Sequence, residues 1–197
     1  MSTMISELVL RITQLEQELE REFEREIKEK HLQFRYRIEK GKVAFEREIR
    51  VLHKKLRQGV LSFLWESSLA SLLVAPVIYS LVVPLILLDA WLWLFQAVCF
   101  PAYGIPKVDR RRYVVLDRGK LGYLNAIERF NCNFCGYANG LVAYGREVAS
   151  RTEAYFCPIK HARPVSGTHT RYREFLDFGD SDHYKTKVEK IRKKLCP

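Results

Sequence analysis

Three cysteines and one histidine in the C-terminal half of the chain have the residue types and spacing of a metal site. Cys132 and Cys135 form a Cys-x2-Cys pair, and Cys157 and His161 form a Cys-x3-His pair. Thiolate and imidazole groups suit tetrahedral zinc, and a cytoplasmic compartment keeps such thiols reduced. The spacing therefore predicts one ion shared by the four residues. Zinc is the first expectation, and an iron–sulfur cluster is the alternative.

Two other interpretations of these residues need no metal. A Cys-x2-Cys pair at a helix N-terminus is typical of redox-active thiols, and small buried cysteines need no chemical role.

Geometry adds a condition to the metal interpretation. If residues 136–156 form one unbroken helix, the two halves of the set lie about 30 Å apart. Gly136, Gly140 and Gly145 offer places for a break.

The segment that must position these ligands, residues 107–197, has a soluble composition and helical periodicity. Apolar residues recur at helical spacing over 121–131 and 140–156, and the stretch 181–195 reads as a third helix that is basic towards its end. The sequence therefore predicts a small helical domain that a bound metal would stabilise.

Basic residues dominate this C-terminal segment, and the whole chain has a net charge of +10. Lys107, Arg110, Arg111 and Arg112 follow directly after an apolar stretch. Near a membrane such residues bind anionic headgroups, so we expect these four to contact lipid. Nucleic acid is the rival partner for this charge, but no recognition motif of known type accompanies it.

The middle of the chain reads as membrane-embedded. Residues 59–106 contain no Lys or Arg, and Asp89 is the single charge in 67–106. A spanning helix needs about 20 apolar residues, so this stretch has the length of two passes. Both flanks are basic, which predicts that both are cytoplasmic and that the number of crossings is even. We expect a transmembrane hairpin with its turn between Pro84 and Asp89, or a re-entrant segment.

Asp89 has two interpretations that depend on this topology. In a hairpin it is a turn residue near the headgroups, which is the interpretation that the length favours. In a single long pass it would be a carboxylate within the membrane, and such groups are functional by default.

The N-terminal segment predicts a long amphipathic helix. Residues 2–57 contain no Pro and one glycine, Gly41, and apolar residues recur in steps of three and four. One helix of this length would reach about 80 Å. Its apolar stripe needs a partner, which indicates a coiled coil between copies of the chain. The alternative is that the stripe folds back on the rest of the chain.

Together these patterns predict an all-α membrane protein with an oligomerisation helix in 1–58, a membrane hairpin in 59–106 and a basic cytoplasmic Cys/His domain in 107–197. Both termini would be cytoplasmic. The motifs of phosphate-binding loops, serine hydrolases and zinc proteases are missing from the sequence, which weighs against an enzyme. The expected function is a membrane-anchored scaffold or assembly protein. The alternative is a membrane-bound redox or metal-handling protein that uses the Cys/His set.

Overall fold

The computed structural model describes residues 2–39 and 42–196, and the chain divides into two compact units. Unit 1 comprises residues 1–58 and 120–125, and unit 2 comprises residues 59–119 and 126–197. Both units are built mainly from helices, so the all-α prediction is confirmed at that level. The exception among the described residues is one two-stranded sheet in unit 1.

Unit 1 contains a helix, a β-hairpin and a second helix. In order they are α1 (Ser2–Gln33), β1 (Tyr36–Glu39), β2 (Lys42–Phe45) and α2 (Arg47–Leu56). The prediction of one continuous helix over 2–57 is therefore wrong, because α1 ends at Gln33 and the hairpin follows. Tyr36 pairs with Phe45, and Ile38 pairs with Val43. Ile38 and Phe45 belong to the predicted helical stripe, because steps of four residues fit the period of a strand as well as that of a helix.

Ring contacts extend the hairpin into a small cluster of unit 1. The Phe45 ring lies 5.7 Å from that of Tyr36 and 5.0 Å from that of His53 on α2. The His53 ring in turn meets Tyr123 edge-on at 5.0 Å. These long-range contacts stabilise a hairpin that would be marginal alone, and a local helix pattern cannot reveal them.

Unit 2 contains five α-helices in the described part of the chain. They are α3 (Val60–Glu66), α4 (Leu69–Ser80), α5 (Val82–Ala102), α6 (Ala126–Phe156) and α7 (Tyr184–Leu195). Short 3-10 helices occupy Arg110–Arg112, Arg118–Lys120 and Thr170–Glu174. The two helices predicted over 121–131 and 140–156 are joined in α6, because none of its glycines breaks it, while residues 121–125 precede α6 and are not helical.

Between α4 and α5 the chain does not reverse direction. Leu81, which joins them, has φ −61° and ψ −19°, within the right-handed helical region. Pro84 falls in the first turn of α5, where its missing N–H is not needed. The predicted turn between Pro84 and Asp89 thus lies inside α5.

The apolar stretch Leu69–Ala102 is 34 residues long and apolar enough to cross a membrane by length and composition. It is the single such stretch among the residues that the structure describes, so a second pass of the predicted hairpin is not seen. Of the 18 consecutive residues that are most apolar in this stretch, only 6% are buried within the protein. The stretch therefore presents a long apolar surface to its surroundings.

α5 and α6 pack side by side and run parallel. Asp89 contacts Tyr137 and Gln96 contacts Tyr144, so contacting positions rise together along both helices. Tyr79, near the end of α4, contacts Asn131 near the start of α6. The segment 105–119, here called the strap, returns along them in the opposite direction. The core combines buried apolar residues of α5, the strap and α6, namely Leu85, Phe100, Ile105, Val108, Leu141, Tyr144 and Val148.

Candidate functional site

One face of α5, here called the inner face, packs against α6 and the strap. Its residues recur in steps of three and four and are Leu85, Asp89, Leu92, Gln96 and Phe100. Two of the five are polar, although α5 is otherwise strongly apolar. Polar groups buried in an apolar helix are costly unless they are fully hydrogen-bonded, so their partners define the most distinctive polar site of unit 2.

Asp89 forms a two-pronged ion pair with Arg110 of the strap. The guanidinium donates from Nε to Oδ1 at 2.9 Å and from Nη2 to Oδ2 at 2.6 Å. The Tyr137 hydroxyl donates to Oδ2 at 3.0 Å. The Asp89 side chain is 17% exposed and that of Arg110 is 39% exposed. The favoured prediction of Asp89 as a turn residue is therefore wrong, because it lies within a helix and is neutralised by a cation.

The same contacts raise the pKa of Arg110 and of Tyr137, the two partners of Asp89. The hydrogen bonds and charge of Asp89 raise the pKa of Arg110. Burial raises the pKa of the Tyr137 phenol, and its hydrogen bond to Asp89 raises it further. At neutral pH the cluster therefore consists of a carboxylate, a guanidinium and a neutral phenol that donates. This combination fixes geometry and offers no proton near neutral pH.

Gln96 binds the strap about two turns further along the inner face. Its Oε1 accepts from the backbone N–H of Val108 at 2.6 Å, and its Nε2 donates to the carbonyl of Val108 at 3.1 Å. Nε2 also donates to the Tyr144 hydroxyl at 3.2 Å. Asp89 and Gln96 are seven residues apart, and so are Tyr137 and Tyr144. This matched spacing is a sequence signal that could have identified the pairing of α5 with α6.

Glycines on α6 let the strap backbone approach the helix closely. A Cβ atom at Gly140 would lie 2.5 Å from the carbonyl oxygen of Tyr113 and 2.9 Å from the Cα of Val114. A Cβ at Gly136 would lie 3.4 Å from the carbonyl oxygen of Val115. The sequence offered Gly136 and Gly140 as places for a helix break. In the structure they instead form part of the surface on which the strap lies.

A second polar cluster lies on the C-terminal half of α6. Glu147 accepts two hydrogen bonds of 2.8 Å from Arg171 and one of 2.9 Å from Arg151. Arg171 also donates to the hydroxyl of the buried Ser150 at 2.8 Å. Burial by itself raises the pKa of Glu147, but the hydrogen bonds from Arg171 and Arg151 outweigh it and hold the pKa below its ordinary value. The cluster ties the 3-10 helix Thr170–Glu174 to α6.

Acid should therefore destabilise the protein through Glu147. A carboxylate whose pKa is lower in the folded state stabilises that state above its unfolded pKa, and this contribution is lost as the pH falls through the folded pKa. We expect the melting temperature to fall below about pH 4.5, the ordinary value for this group. In Glu147→Gln, part of that acid sensitivity should be missing, and stability at pH 7 should drop by about 1–3 kcal/mol because two cations lose their acceptor.

Thermal unfolding of both proteins between pH 7 and pH 3 would check this expectation. Asp182→Asn is a suitable control, since it removes an exposed carboxylate. An unchanged pH dependence in Glu147→Gln would show that the cluster does not contribute.

A cleft lies beside this cluster, near the end of α6. Its walls are formed by Pro106, Arg151, Ala154, Thr170, Arg171, Glu174, Phe175, Ile191, Lys194 and Leu195. Its cations are already engaged, since Arg151 and Arg171 bind Glu147, and Lys194 binds Glu174 at 2.6 Å. The arrangement joins α6, α7 and the 3-10 helix Thr170–Glu174, and indicates a structural role.

The four predicted metal ligands are not brought together within the chain. Cys132 and Cys135 lie on α6, and Cys157 follows directly after its last residue. An unbroken helix separates the two halves by more than about 30 Å. In the described part of the chain, no group of three or more His, Cys, Asp or Glu side chains is placed to hold a metal. One ion held by all four residues of a single chain therefore does not fit α6.

His161 has a different role in the structure. Its backbone N–H donates to the Tyr172 hydroxyl at 2.6 Å, and its ring stacks on the Tyr172 ring at 6.1 Å. Zinc or an iron–sulfur cluster stays a prediction only for ligands supplied by two chains. Metal analysis of the purified full-length protein would check it.

The four predicted headgroup contacts lie along the strap. Lys107, Arg111 and Arg112 are exposed, while Arg110 is bound to Asp89.

No family model, curated protein or solved structure matches the chain.

Proposed function

We propose that this chain is a membrane-anchored scaffold protein that self-associates through α1, with both termini on the cytoplasmic side. One observation carries the proposal: each unit has a large apolar surface that the described residues of the same unit leave uncovered. One is the stripe along α1, and the other is the outward surface of α4 and α5. An enzyme is expected to enclose a pocket with convergent polar groups, whereas an anchored scaffold exposes surfaces of this kind.

The stripe on α1 supports self-association. Its apolar side chains are between 42% and 59% exposed and recur at helical spacing; they are Leu8, Ile12, Leu15, Leu19, Phe23 and Ile27. Among the described residues of unit 1, no other element covers this stripe. A second copy supplies an identical stripe, and burying such residues against each other is the driving force of coiled coils.

The surface of α4 and α5 supports membrane anchoring. Leu69–Ala102 has the length and composition of a membrane helix, and the chain carries a net charge of +10. Basic residues flank the stretch on both sides, which favours a cytoplasmic location for both flanks. Co-sedimentation of the full-length protein with vesicles of mixed phosphatidylcholine and phosphatidylglycerol tests the anchor. Recovery in the supernatant at low salt would contradict it.

Charge placed on the α1 stripe should weaken self-association. We expect Leu19→Glu and Phe23→Glu each to raise the dissociation constant of the oligomer at least tenfold, because a carboxylate at the seam loses its water. Analytical ultracentrifugation of the full-length protein in detergent measures this.

The matched control for these variants is Gln17→Glu, which adds the same charge on the opposite side of α1 and should leave association unchanged. A wild-type protein that sediments as a monomer at every concentration would contradict self-association. Equal weakening by all three variants would show that the effect is general repulsion.

The Cys/His set gives less support to the alternative of a redox or metal-handling protein. Cys135 and Cys157 are exposed, but the unbroken helix α6 separates them by about 33 Å. No observation in the described residues favours electron transfer or metal transport.

A further inference from the structure

α5 has two unlike faces, and their contrast bears on how the helix meets a membrane. The inner face carries Asp89 and Gln96 and packs against α6 and the strap. The opposite face, here called the outer face, is wholly apolar, and its side chains are between 43% and 70% exposed. They are Val83, Ile86, Leu87, Trp91, Leu94 and Val98. The helix is thus two-sided along its full length, a distinction that its near-uniform apolar sequence hides.

The strap covers the inner side of α5 over most of its length. It meets the helix at Gln96 through Val108 and at Asp89 through Arg110. Asp89 lies 13 residues before the last residue of α5, which corresponds to about 20 Å along the helix axis. Whatever surrounds this part of α5 must therefore also accommodate the strap.

The composition and backbone of the strap require water or headgroups. The Arg111 side chain is 90% exposed and that of Asp109 is 47% exposed. Apart from the 3-10 turns Arg110–Arg112 and Arg118–Lys120, the strap backbone has no regular secondary structure. Irregular backbone exposed to lipid does not occur in the hydrocarbon region, and charged side chains there are strongly disfavoured.

If α5 crossed the bilayer along its normal, the strap would enter a hydrocarbon core of about 30 Å to a depth of about 20 Å. Placing only residues 69–88 in the core does not avoid the problem, because Tyr79 is hydrogen-bonded to Asn131 near the start of α6 and would draw the charged Glu128 and Arg129 in with it. We propose instead that α5 lies along the surface of an anionic bilayer, with its outer face in the boundary between headgroups and acyl chains. The strap and α6 then face water. This inference rests on the proposed membrane anchor and specifies its geometry.

Three observations support a lipid surface as the occupant of the outer face. The outer face has no charged residue along α5, so its burial at the acyl-chain boundary takes no charge out of water. Trp91 of the outer face is 70% exposed, and tryptophan is preferred at the membrane interface. The exposed Lys107, Arg111 and Arg112 complement anionic headgroups. A helix that does not cross the bilayer also leaves both basic flanks on the same side of it, as the distribution of Lys and Arg predicts.

Depth measurements with spin labels test the geometry. The native cysteines are replaced, and single cysteines are introduced at Val83, Leu87, Leu94 and Val98, all exposed positions of the outer face. The full-length protein is reconstituted into vesicles of phosphatidylcholine and phosphatidylglycerol, and label depth is measured by electron paramagnetic resonance with lipid-soluble and water-soluble relaxants. We expect the four depths to agree within about 5 Å, since an interfacial helix is buried by about 5–10 Å.

Different outcomes overturn different parts of the proposal. A depth that changes steadily by about 22 Å between Val83 and Val98 would show a crossing helix and overturn the in-plane geometry. Labels shielded from the lipid-soluble relaxant would show that a second copy covers the outer face. Failure of the protein to bind vesicles would overturn the membrane anchor itself.

A label on the strap provides an independent control. At Arg111→Cys we expect strong relaxation by the water-soluble agent and little by the lipid-soluble one. The reverse result would place the strap in hydrocarbon and contradict the argument on which the proposal stands.

Discussion

Gly140→Ala should destabilise unit 2 by about 2 kcal/mol, although alanine is the better helix former. The added Cβ would lie 2.5 Å from the Tyr113 carbonyl oxygen and 2.9 Å from the Val114 Cα. Both are backbone atoms of the strap and cannot rotate away. Overpacking of this kind costs about 1–3 kcal/mol or more, which outweighs the gain of about 1 kcal/mol in helix propensity. Thermal unfolding followed by circular dichroism in detergent measures the loss.

Two other glycines serve as controls for this substitution. Gly136→Ala, on the same helix, meets its nearest strap atom at 3.4 Å and should be neutral or slightly stabilising. Gly59→Ala meets nothing within 4 Å and should also be tolerated. Amide hydrogen exchange adds a local readout, because displacement of the strap should expose the N–H of Val108. Equal stability of Gly140→Ala and Gly136→Ala would contradict the close approach of strap and helix.

The second large effect is expected from Asp89→Leu. This change leaves the Arg110 guanidinium without its carboxylate and the Tyr137 hydroxyl without its acceptor. Removing one partner of a fully buried pair costs about 3–5 kcal/mol. Because Arg110 is 39% exposed, water can solvate part of it, and we expect a loss of about 2 kcal/mol. Denaturant titration in detergent measures it.

A double variant separates the ion pair from simple disruption of the helix. When Arg110→Leu is added to Asp89→Leu, no charge is left unpaired, and apolar replacement of a buried pair is often neutral. The double variant should therefore regain most of the lost stability. Arg111→Leu is the matched control on the next residue, where an exposed pair contributes little. If the double variant lost as much stability as Asp89→Leu and Arg110→Leu lose together as single variants, Asp89 and Arg110 would act independently.

Gly140, Asp89 and Arg110 all contribute to the packing of the strap against α5 and α6. This packing also affects how α5 meets a membrane. The strap covers Asp89 and Gln96, the two polar residues of the inner face. If the strap detached, α5 would expose both polar groups beside its apolar outer face. Variants that loosen the strap should thus change membrane geometry as well as stability.

Local sequence pattern was informative where a single element decides the outcome. The absence of Lys and Arg between residues 59 and 106 identified the apolar stretch that becomes α4 and α5. The spacing of Leu15, Leu19 and Phe23 identified the exposed stripe of α1. These features depend on composition and on the period of one helix, so they can be read without knowledge of the tertiary structure. For the same reason the pattern failed at Tyr36–Phe45, where steps of four fit a strand as well as a helix.

The sequence by itself determined that the chain is mostly helical, with an apolar stretch between basic segments. Only the tertiary structure decided what the polar and small residues do: Asp89 pairs with Arg110 rather than forming a turn, and Gly140 admits a backbone rather than breaking a helix. The physical reason is that both outcomes depend on the strap returning along α5 and α6, a contact between distant residues. A cysteine pair and a histidine pair can likewise share a metal only if the chain between them bends, and α6 runs unbroken between them.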